Sequence, residues 1–480
     1  MATKPPTPDS FSNAIKVIKQ SWLAIVILIL ALPAFFYKPF GILLYKVVLY
    51  GFFPLLGAIV LGWIAWKVWV HYVQQDFISG IEFVLLEIIP PRDVERSPMA
   101  MELFITNALY QFSFKGGKEE FWQGAVWFWF SLELVSIDGQ VHFYIRTPSR
   151  IRGLIETQMY AQYPQSQVKV VEDYTLAVDE ITPESEWNAW GCEWQLLRKE
   201  AYPIKTYIDY ELNEDPKEEY KIDPISPVIE FFGSLGKGEQ AWLQIVITPS
   251  KKRYHTKGTW FGYHDWVREA RLTIIEMLKP YTRYHMGTEG SPAEGSFSQE
   301  VRSPKFLDKT VERMGGKTNK LGFETGVRLM YLAKKDIYPP GTRTLHSRDI
   351  RLIFRQYQNP DANGFDRKNS AQGDAYSGIF TASKETVMML ANRLLHEYRE
   401  RAFFHLPLRH HIFAKEIWDW PFPGFISVAG WINAYLHPHT YVLNAEELAT
   451  IWHFPGQILK VPTLERIESK EASPPTNLPT

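Results

Sequence analysis

Residues 126–146 read VWFWFSLELVSIDGQVHFYIR, and this stretch predicts a β-hairpin. Two runs rich in β-branched and aromatic residues, Val126–Ile137 and Val141–Arg146, flank the dipeptide Asp138-Gly139. A two-residue type I′ turn needs a positive φ at both central residues, and Asp-Gly meets that need between strands. We therefore expect two adjacent antiparallel strands here.

The segments on either side of the hairpin complete a split βαβ pattern. A strand at Ile81–Ile88 precedes it, and Ser97-Pro98 then supplies a helix N-cap followed by proline in the first turn. After the hairpin, Thr147-Pro148 opens a second helix, and a strand follows at Val168–Val171. The order strand, helix, strand, strand, helix, strand over residues 75–185 predicts a ferredoxin-like domain.

A similar order recurs in residues 186–380. The openings SPMAMELFITNAL (97–109) and SPVIEFFGSL (226–235) resemble each other, and each leads to an aromatic-rich strand. The other elements predicted here are strands at Thr206–Tyr210, Ala241–Thr248 and Glu324–Ala333, a helix from Ser347 to Gln358, and an insertion at 249–322 with a helix at Asp265–Leu278. We expect an α+β fold with duplicated ferredoxin-like (βαββαβ) units. A chance likeness between two α+β sandwiches stays open.

The block before these units is almost entirely apolar from Trp22 to Val70. Bilayer hydrocarbon is about 30 Å thick and needs roughly 20 apolar residues per helical span, so the block is long enough for two. We expect a transmembrane helical hairpin over residues 21–74, with spans Trp22–Phe36 and Val47–Trp69, after a cytoplasmic segment 1–20. The residues expected to contact the membrane are Trp22, Phe36, Trp63, Trp66 and Trp69.

Two other interpretations of the apolar block stay open, namely a cleaved signal peptide and a buried helical hairpin of a soluble core. No small-residue cleavage site follows the first run, and a second apolar run does. Lysines occur on both outer sides of the apolar block and in the short connection between its two runs, so the distribution of positive charge says little about membrane orientation. We expect a multi-pass protein of the cell inner membrane with its soluble domains in the cytoplasm, because a single cysteine, Cys192, fits a reducing compartment.

The overall charge excludes one class of function. The 480 residues carry a formal net charge of −1, whereas a protein that coats nucleic acid presents a strongly basic domain. The basic stretch Lys251–Arg253 leaves a local contact with nucleic acid open. About 400 residues beyond the apolar block suit two or three soluble domains.

Motifs of common catalytic sites are incomplete in this sequence. Gly316-Lys317-Thr318 matches the end of a phosphate-binding loop, but the first glycine of that motif would fall on Val311, so a flexible basic loop is expected there. One cysteine and the lack of an H-E-x-x-H motif argue against a zinc site, and no G-x-S-x-G motif occurs. We therefore expect no catalytic residue, no cofactor, no metal and no small-molecule substrate.

The C-terminal region, residues 381–460, is predicted to be helical and aromatic. A helix is expected from Thr381 to about Phe403, and Asn444 with Glu447 forms a capping box for a short helix. Residues 461–480 are rich in proline and polar residues, as in a linker or disordered tail. The residues expected to contact a protein partner are Trp418, Trp420, Phe425, Trp431 and Trp452.

Three stretches resemble one family. VHFYIRTPSRIRGLIETQMYAQYPQSQVKVVEDY (141–174), LNAEELATIWHFPG (443–456) and VPTLERIESKEASPPTNLP (461–479) are similar to the membrane-proximal N-terminal region of ATPases related to type IV secretion and conjugative DNA transfer, in bacterial lineages with small genomes. In fused members such a linker precedes the motor domain, whereas this sequence ends at Thr480. The resemblance implies a membrane anchor and adaptor without a motor domain.

These observations lead to one functional expectation. The protein is expected to be a membrane-anchored, non-catalytic scaffold that contacts membrane lipid, forms a homo-oligomer and docks a separate hexameric ATPase of a type IV secretion-like or conjugative DNA transfer system. Two alternatives remain, a membrane-bound enzyme of unknown reaction and an envelope protein that self-assembles into a ring.

Overall fold

The structure is a computed structural model that describes residues 38–91, 96–111, 116–213, 222–250, 254–255, 263–286, 297–338, 350–368, 384–404 and 440–456. Two compact units emerge, and we call them the helical unit and the α+β unit. The helical unit comprises residues 38–76 and 117–124, and the α+β unit comprises the other described residues. The protein is thus a mixed α+β protein with one long apolar helix near its N-terminus.

The helices of the two units follow in chain order. They are α1 (Lys38–Val47), α2 (Phe53–Ser79), α3 (Pro98–Phe104), α4 (Gly117–Phe121), α5 (Arg152–Gln162), α6 (Ser226–Gly233), α7 (Trp266–Leu278), α8 (Lys305–Thr318), α9 (Lys384–Glu400) and α10 (Ala445–Ile451). A π-helical turn, Val48–Phe52, joins α1 to α2, and another, Ile105–Leu109, extends α3. Ser97 accepts a hydrogen bond from the Met99 amide, so the predicted N-cap is confirmed, and Asp265 caps α7 by accepting one from the Arg268 amide.

The strands form one large antiparallel sheet and two small hairpins. They are β1 (Phe83–Ile89), β2 (Phe130–Ile137), β3 (Gln140–Pro148), β4 (Gln167–Val171), β5 (Trp187–Leu196), β6 (Glu239–Pro249), β7 (Tyr254–His255), β8 (Tyr263–His264), β9 (Thr282–Met286), β10 (Phe297–Val301), β11 (Gly322–Lys334), β12 (Phe365–Lys368) and β13 (Tyr441–Asn444). The large sheet has the order β12-β5-β11-β6-β2-β3-β1-β4, and β13 pairs with β11.

The predicted Asp138-Gly139 hairpin is confirmed as β2 and β3. Asp138 has φ 53° and Gly139 has φ 84°, as the two central residues of a type I′ turn require. Ile137 pairs with Gln140 next to the turn. Strand β2 starts at Phe130 rather than at Val126, and Trp129 just before it packs on Phe83, with ring centroids 5.1 Å apart.

Strands β1 to β4 form the first half of the sheet. Their order is β2-β3-β1-β4, with each neighbouring pair antiparallel. Helix α3 connects β1 to β2, and α5 connects β3 to β4. The chain therefore crosses over one strand at each helical connection.

Strands β5, β6, β11 and β12 form the second half, in the order β12-β5-β11-β6 with antiparallel pairs. The strand predicted at Thr206–Tyr210 is wrong, because these residues form turns. The Thr206 amide donates to Asp209 Oδ2 at 3.1 Å and the Tyr207 amide donates to Thr450 Oγ1 at 3.0 Å, so side chains bind amides that a β-ladder would need. The strand that opens this half is β5, which sequence patterning missed.

The two halves join through their second strands. Strand β2 pairs with β6, with Leu134 opposite Leu243 and Glu133 opposite Gln244. One face of the joined sheet carries α3, α5, α6 and α10 on a continuous apolar core that includes Leu132, Leu243 and Leu329. The other face carries α9, where Leu394 and Tyr398 pack on Trp242 and Met330.

The insertion between β6 and β11 holds α7, α8 and the two small hairpins. The basic loop predicted at Gly316-Lys317-Thr318 is wrong, because these residues form the last turn of α8. The helix predicted up to Gln358 is also wrong over its described part, where two 3₁₀ turns, Ile350–Leu352 and Arg355–Tyr357, place apolar side chains in the core.

Candidate functional site

The long helix near the N-terminus is the candidate membrane-contacting site. Among the residues that the structure describes, Tyr45–Ser79 is one helical stretch whose length and composition would let it cross a membrane. None of its most apolar part is buried by the protein. Burial of apolar surface contributes about 25 cal/mol per Å², so an apolar environment would stabilise a stretch of this length.

Tryptophans cluster in the C-terminal part of this apolar stretch, at Trp63, Trp66 and Trp69. Trp66 follows Tyr45 by 21 positions, which corresponds to about 31 Å along a helix, close to the thickness of bilayer hydrocarbon. Trp66 and Trp69 are 42% and 39% exposed, and Trp63 is partly buried. Trp22, Phe36 and the rest of the predicted first span lie outside the described residues.

Polar side chains gather on the sheet face that α9 covers, and we call the group around Glu133, Asp173 and Arg401 the seam network. Arg401 Nε lies 2.9 Å from Glu133 Oε1, and its Nη2 lies 3.1 Å from Asp173 Oδ1. Tyr174 donates to Glu133 Oε2 at 2.7 Å and meets the Tyr398 hydroxyl at 2.8 Å. Arg401 and Glu133 are both fully buried, so this network fastens the end of α9 to β2 of the first half.

A second arginine fastens α9 to the other half of the sheet. Arg328 of β11 is fully buried, and its Nη2 lies 2.7 Å from Glu193 Oε1 and 3.0 Å from Glu397 Oε2. Glu193 belongs to β5 and Glu397 to α9. Gln244 of β6 bridges the two arginine groups, since it donates to Glu133 Oε1 at 3.3 Å and accepts from Arg328 Nη1 at 3.4 Å.

Within the seam network, the pKa values of Arg401 and Tyr398 are raised and the pKa of Asp173 is lowered. Burial by itself would lower the pKa of Arg401, but Glu133, Tyr174 and Asp173 outweigh it and hold that pKa well above its usual range. Burial would raise the pKa of Asp173, yet the Arg401 guanidinium keeps it below the usual range. Burial, followed by the Glu133 carboxylate, raises the pKa of Tyr398. The Arg401–Asp173 pair therefore stays charged at neutral pH.

Helix α10 is fastened by a second buried carboxylate, Glu447. Glu447 Oε2 accepts from the Asn444 amide at 2.9 Å, which confirms the predicted capping box, and Oε1 accepts from the Ile204 amide at 2.9 Å. Lys317 Nζ lies 3.0 Å from Glu447 Oε2, and both side chains are fully buried. Lys317, at the end of the incomplete phosphate-loop motif, is thus an ion-pair partner inside the core.

The described residues on either side of 405–439 contact adjacent positions of β11. Phe403 lies over Gly326, where an added Cβ would come within 2.3 Å of Phe403 Cδ1. Tyr441 pairs with Thr325 in the β11–β13 ladder. Phe403 and Tyr441 therefore both lie on one strand of the sheet.

The predicted partner-contact residues fall in two groups. Trp418, Trp420, Phe425 and Trp431 lie outside the described residues. Trp452 is fully buried, donates from Nε1 to the Glu133 carbonyl at 3.3 Å and packs on Phe143. Its indole belongs to the core and offers no surface to a partner in this fold.

Sequence reasoning missed both arginine groups, although a signal for them exists. Glu133, Gln244 and Arg328 each interrupt an otherwise apolar strand, in FSLELVSI, AWLQIVI and GVRLMYLA. A charge inside a fully buried strand needs a buried partner. That signal predicts pairing without saying with which residue.

A cleft of about 750 Å³ lies between the end of β5 and α7. Arg198, Lys199, Tyr202 and Glu276 are among the polar residues that line it. Arg198 Nη2 donates to the Pro360 carbonyl at 2.7 Å, so its head group already has a protein partner.

Across the described ranges, no group of three or more His, Cys, Asp or Glu side chains could hold a metal ion.

No protein-family model matches this chain, and no curated protein matches it either.

Proposed function

We propose that the protein is a membrane-anchored, non-catalytic scaffold of a type IV secretion-like or conjugative DNA transfer system, and that it docks a separate ATPase. The observation that carries the proposal is the helix Tyr45–Ser79, the most apolar part of which is not buried by the protein. A bilayer is the environment that such a surface fits. The family resemblance of residues 141–174 and 443–456 supplies the type of system.

The body of the scaffold is proposed to be a duplicated ferredoxin-like unit. The strand order supports this, because it runs fourth, first, third, second in β4-β1-β3-β2 and again in β12-β5-β11-β6. In both halves a helix that begins with Ser-Pro near its start, α3 or α6, connects the first strand to the second. Antiparallel pairing of β2 with β6 then joins the two proposed units in the middle of the sheet.

The membrane part is proposed to be a two-span hairpin in the inner membrane, with the α+β body in the cytoplasm. A single cysteine, Cys192, which is fully buried in β5, supports a reducing compartment. The exposed helix Tyr45–Ser79, which includes the residues of the predicted second span Val47–Trp69, supports the proposal of that span.

The docking segment is proposed to be the part of the C-terminal region that carries Trp418, Trp420, Phe425 and Trp431. The described residues on either side of it, Phe403 and Tyr441, lie on β11 at Gly326 and Thr325, and the buried arginine groups beneath α9 hold this base in place. The proposed partner is a hexameric ATPase with its own Walker motifs.

Cross-linking mass spectrometry on native membranes that contain the full chain tests this proposal. The test variant carries Trp418, Trp420, Phe425 and Trp431 as Ala, and the matched control carries four exposed apolar residues of the body, Leu176, Leu197, Ile208 and Ile222, as Ala. We expect cross-links to a Walker-motif ATPase for the wild type and the control, and their loss for the test variant. ATP hydrolysis by the purified chain alone would contradict the proposal.

A further inference from the structure

A short segment distant in sequence from the long helix joins its aromatic end. Residues 117–124 belong to the helical unit, although in the chain they lie between α3 and β2. The Trp66 ring lies 5.8 Å from Phe121 and 6.4 Å from Trp122 between centroids. Trp122 also contacts Trp69 at 5.9 Å. Four large aromatic rings therefore form one cluster, which we call the aromatic collar.

The segment is held against the helix by its backbone. Gly124 has φ 66°, and a Cβ at this position would lie 1.9 Å from the Val73 carbonyl oxygen. Only glycine permits so close an approach of one backbone to another. Val73 is one turn beyond Trp69, so the contact fixes Phe121 and Trp122 at the level of the helical tryptophans.

The collar is still open to its surroundings. Trp122 is 61% exposed and Phe121 is 39% exposed, despite their contacts with Trp66 and Trp69. An indole has an apolar body and one N–H donor, and such side chains are enriched where the headgroups of a bilayer meet its hydrocarbon. Trp66 is also the residue that lies about one hydrocarbon thickness from Tyr45.

We propose that Phe121 and Trp122 insert into the interface of the same bilayer that the long helix crosses, as a second and peripheral membrane contact of the chain. This inference rests on the proposed membrane anchor. The contact would reach about 5–10 Å into the boundary of headgroups and acyl chains. Lys118, Glu119 and Glu120 of α4 give the segment no excess of positive charge, so insertion depends on the apolar interface and not on anionic lipid.

The test places a fluorophore at Gln123 of the full chain, through Gln123→Cys and an environment-sensitive dye, in vesicles of phosphatidylcholine alone. The matched control is Gln165→Cys, in an exposed turn of the α+β unit. Cys192 is fully buried and reacts slowly, so it stays in place. We expect a blue shift at position 123, with stronger quenching by a lipid spin label near the headgroup than by one near the chain end. Position 165 should show neither.

Two results would overturn the inference. Emission at position 123 that matches position 165 would show an aqueous environment, and a blue shift without lipid quenching would show that protein alone covers the segment. Flotation of the chain with the vesicles is scored in parallel. If the chain floats and position 123 is not quenched, the anchor stands and this inference fails. If the chain does not float, the proposed anchor fails.

Discussion

Arg401 and Glu133 pair across the seam of the sheet, 268 positions apart in sequence, with Arg401 Nε 2.9 Å from Glu133 Oε1. Arg401 follows the helix that lies on the second half, while Glu133 belongs to the strand of the first half that meets it. Both groups are fully buried. The pair therefore joins both halves of the sheet to the base of the proposed docking segment.

Arg401→Met should destabilise the protein strongly. The change leaves Glu133 and Asp173 buried without their guanidinium, and removal of one partner from a buried pair costs about 3–5 kcal/mol. Arg152→Met is the control, because Arg152 pairs with Glu156 on an exposed helix surface and should cost less than about 1 kcal/mol. Urea unfolding of the full chain in detergent gives both values. Equal costs for the two variants would refute a structural role for the seam network.

Lys317→Met should also reduce stability by about 3–5 kcal/mol, because it leaves the buried Glu447 carboxylate without its cation. Lys309→Met, on the exposed side of α8, should change the free energy of unfolding by less than about 0.5 kcal/mol. The same unfolding assay applies. A stable Lys317→Met protein that loses binding to a fluorescent ATP analogue would instead support a nucleotide site at this lysine.

Gly326→Ala should loosen the contact between β11 and the base of the docking segment. The added methyl group would meet the Phe403 ring, and overpacking in a core costs about 1–3 kcal/mol. Phe403→Leu in the same chain should recover part of this loss, since the clash is with the ring. A double-mutant cycle by urea unfolding measures the coupling. Additive effects of the two changes would show that the residues do not touch.

Acid should weaken the seam network through Asp173. The pKa of Asp173 is lowered in the folded protein, so its stabilising contribution is complete above the unfolded pKa of about 3.9 and is lost as the pH falls through the folded pKa. Burial raises the pKa of Glu447, so its effect on the pH dependence of the unfolding free energy has the opposite sign. Both the wild type and Asp173→Asn keep Glu447, so the difference between them reports on Asp173 alone. We expect the unfolding free energy of the wild type to fall more steeply below about pH 4 than that of Asp173→Asn. Parallel curves would contradict the ion pair.

Local signals in the sequence were sufficient for the elements that depend on a few neighbouring residues. The Asp138-Gly139 turn, the Ser97 N-cap and the Asn444–Glu447 capping box all occur as predicted. Each rests on backbone conformation or on a hydrogen bond within three positions.

Elements that depend on distant contacts escaped the sequence analysis. Strand β5, WNAWGCEWQL, is buried on both faces, so it lacks the alternation that marks a half-exposed strand. Thr206–Tyr210 has strand-like composition, but side chains from α10 and from its own turn bind its amides. The partners of Glu133 and Lys317 are 268 and 130 positions away, and no pattern in one sequence names them.

The central claim, that lipid covers the long helix, can be tested at Leu55. This side chain is 61% exposed in the protein, so only an external partner can shield it. The measurement is the labelling rate of Leu55→Cys by a water-soluble maleimide in the full chain in vesicles, against Gln165→Cys. We expect position 55 to stay unlabelled in vesicles while position 165 reacts. After the protein is unfolded in detergent and urea, both positions should react. Labelling of position 55 as fast as position 165 in intact vesicles would contradict it.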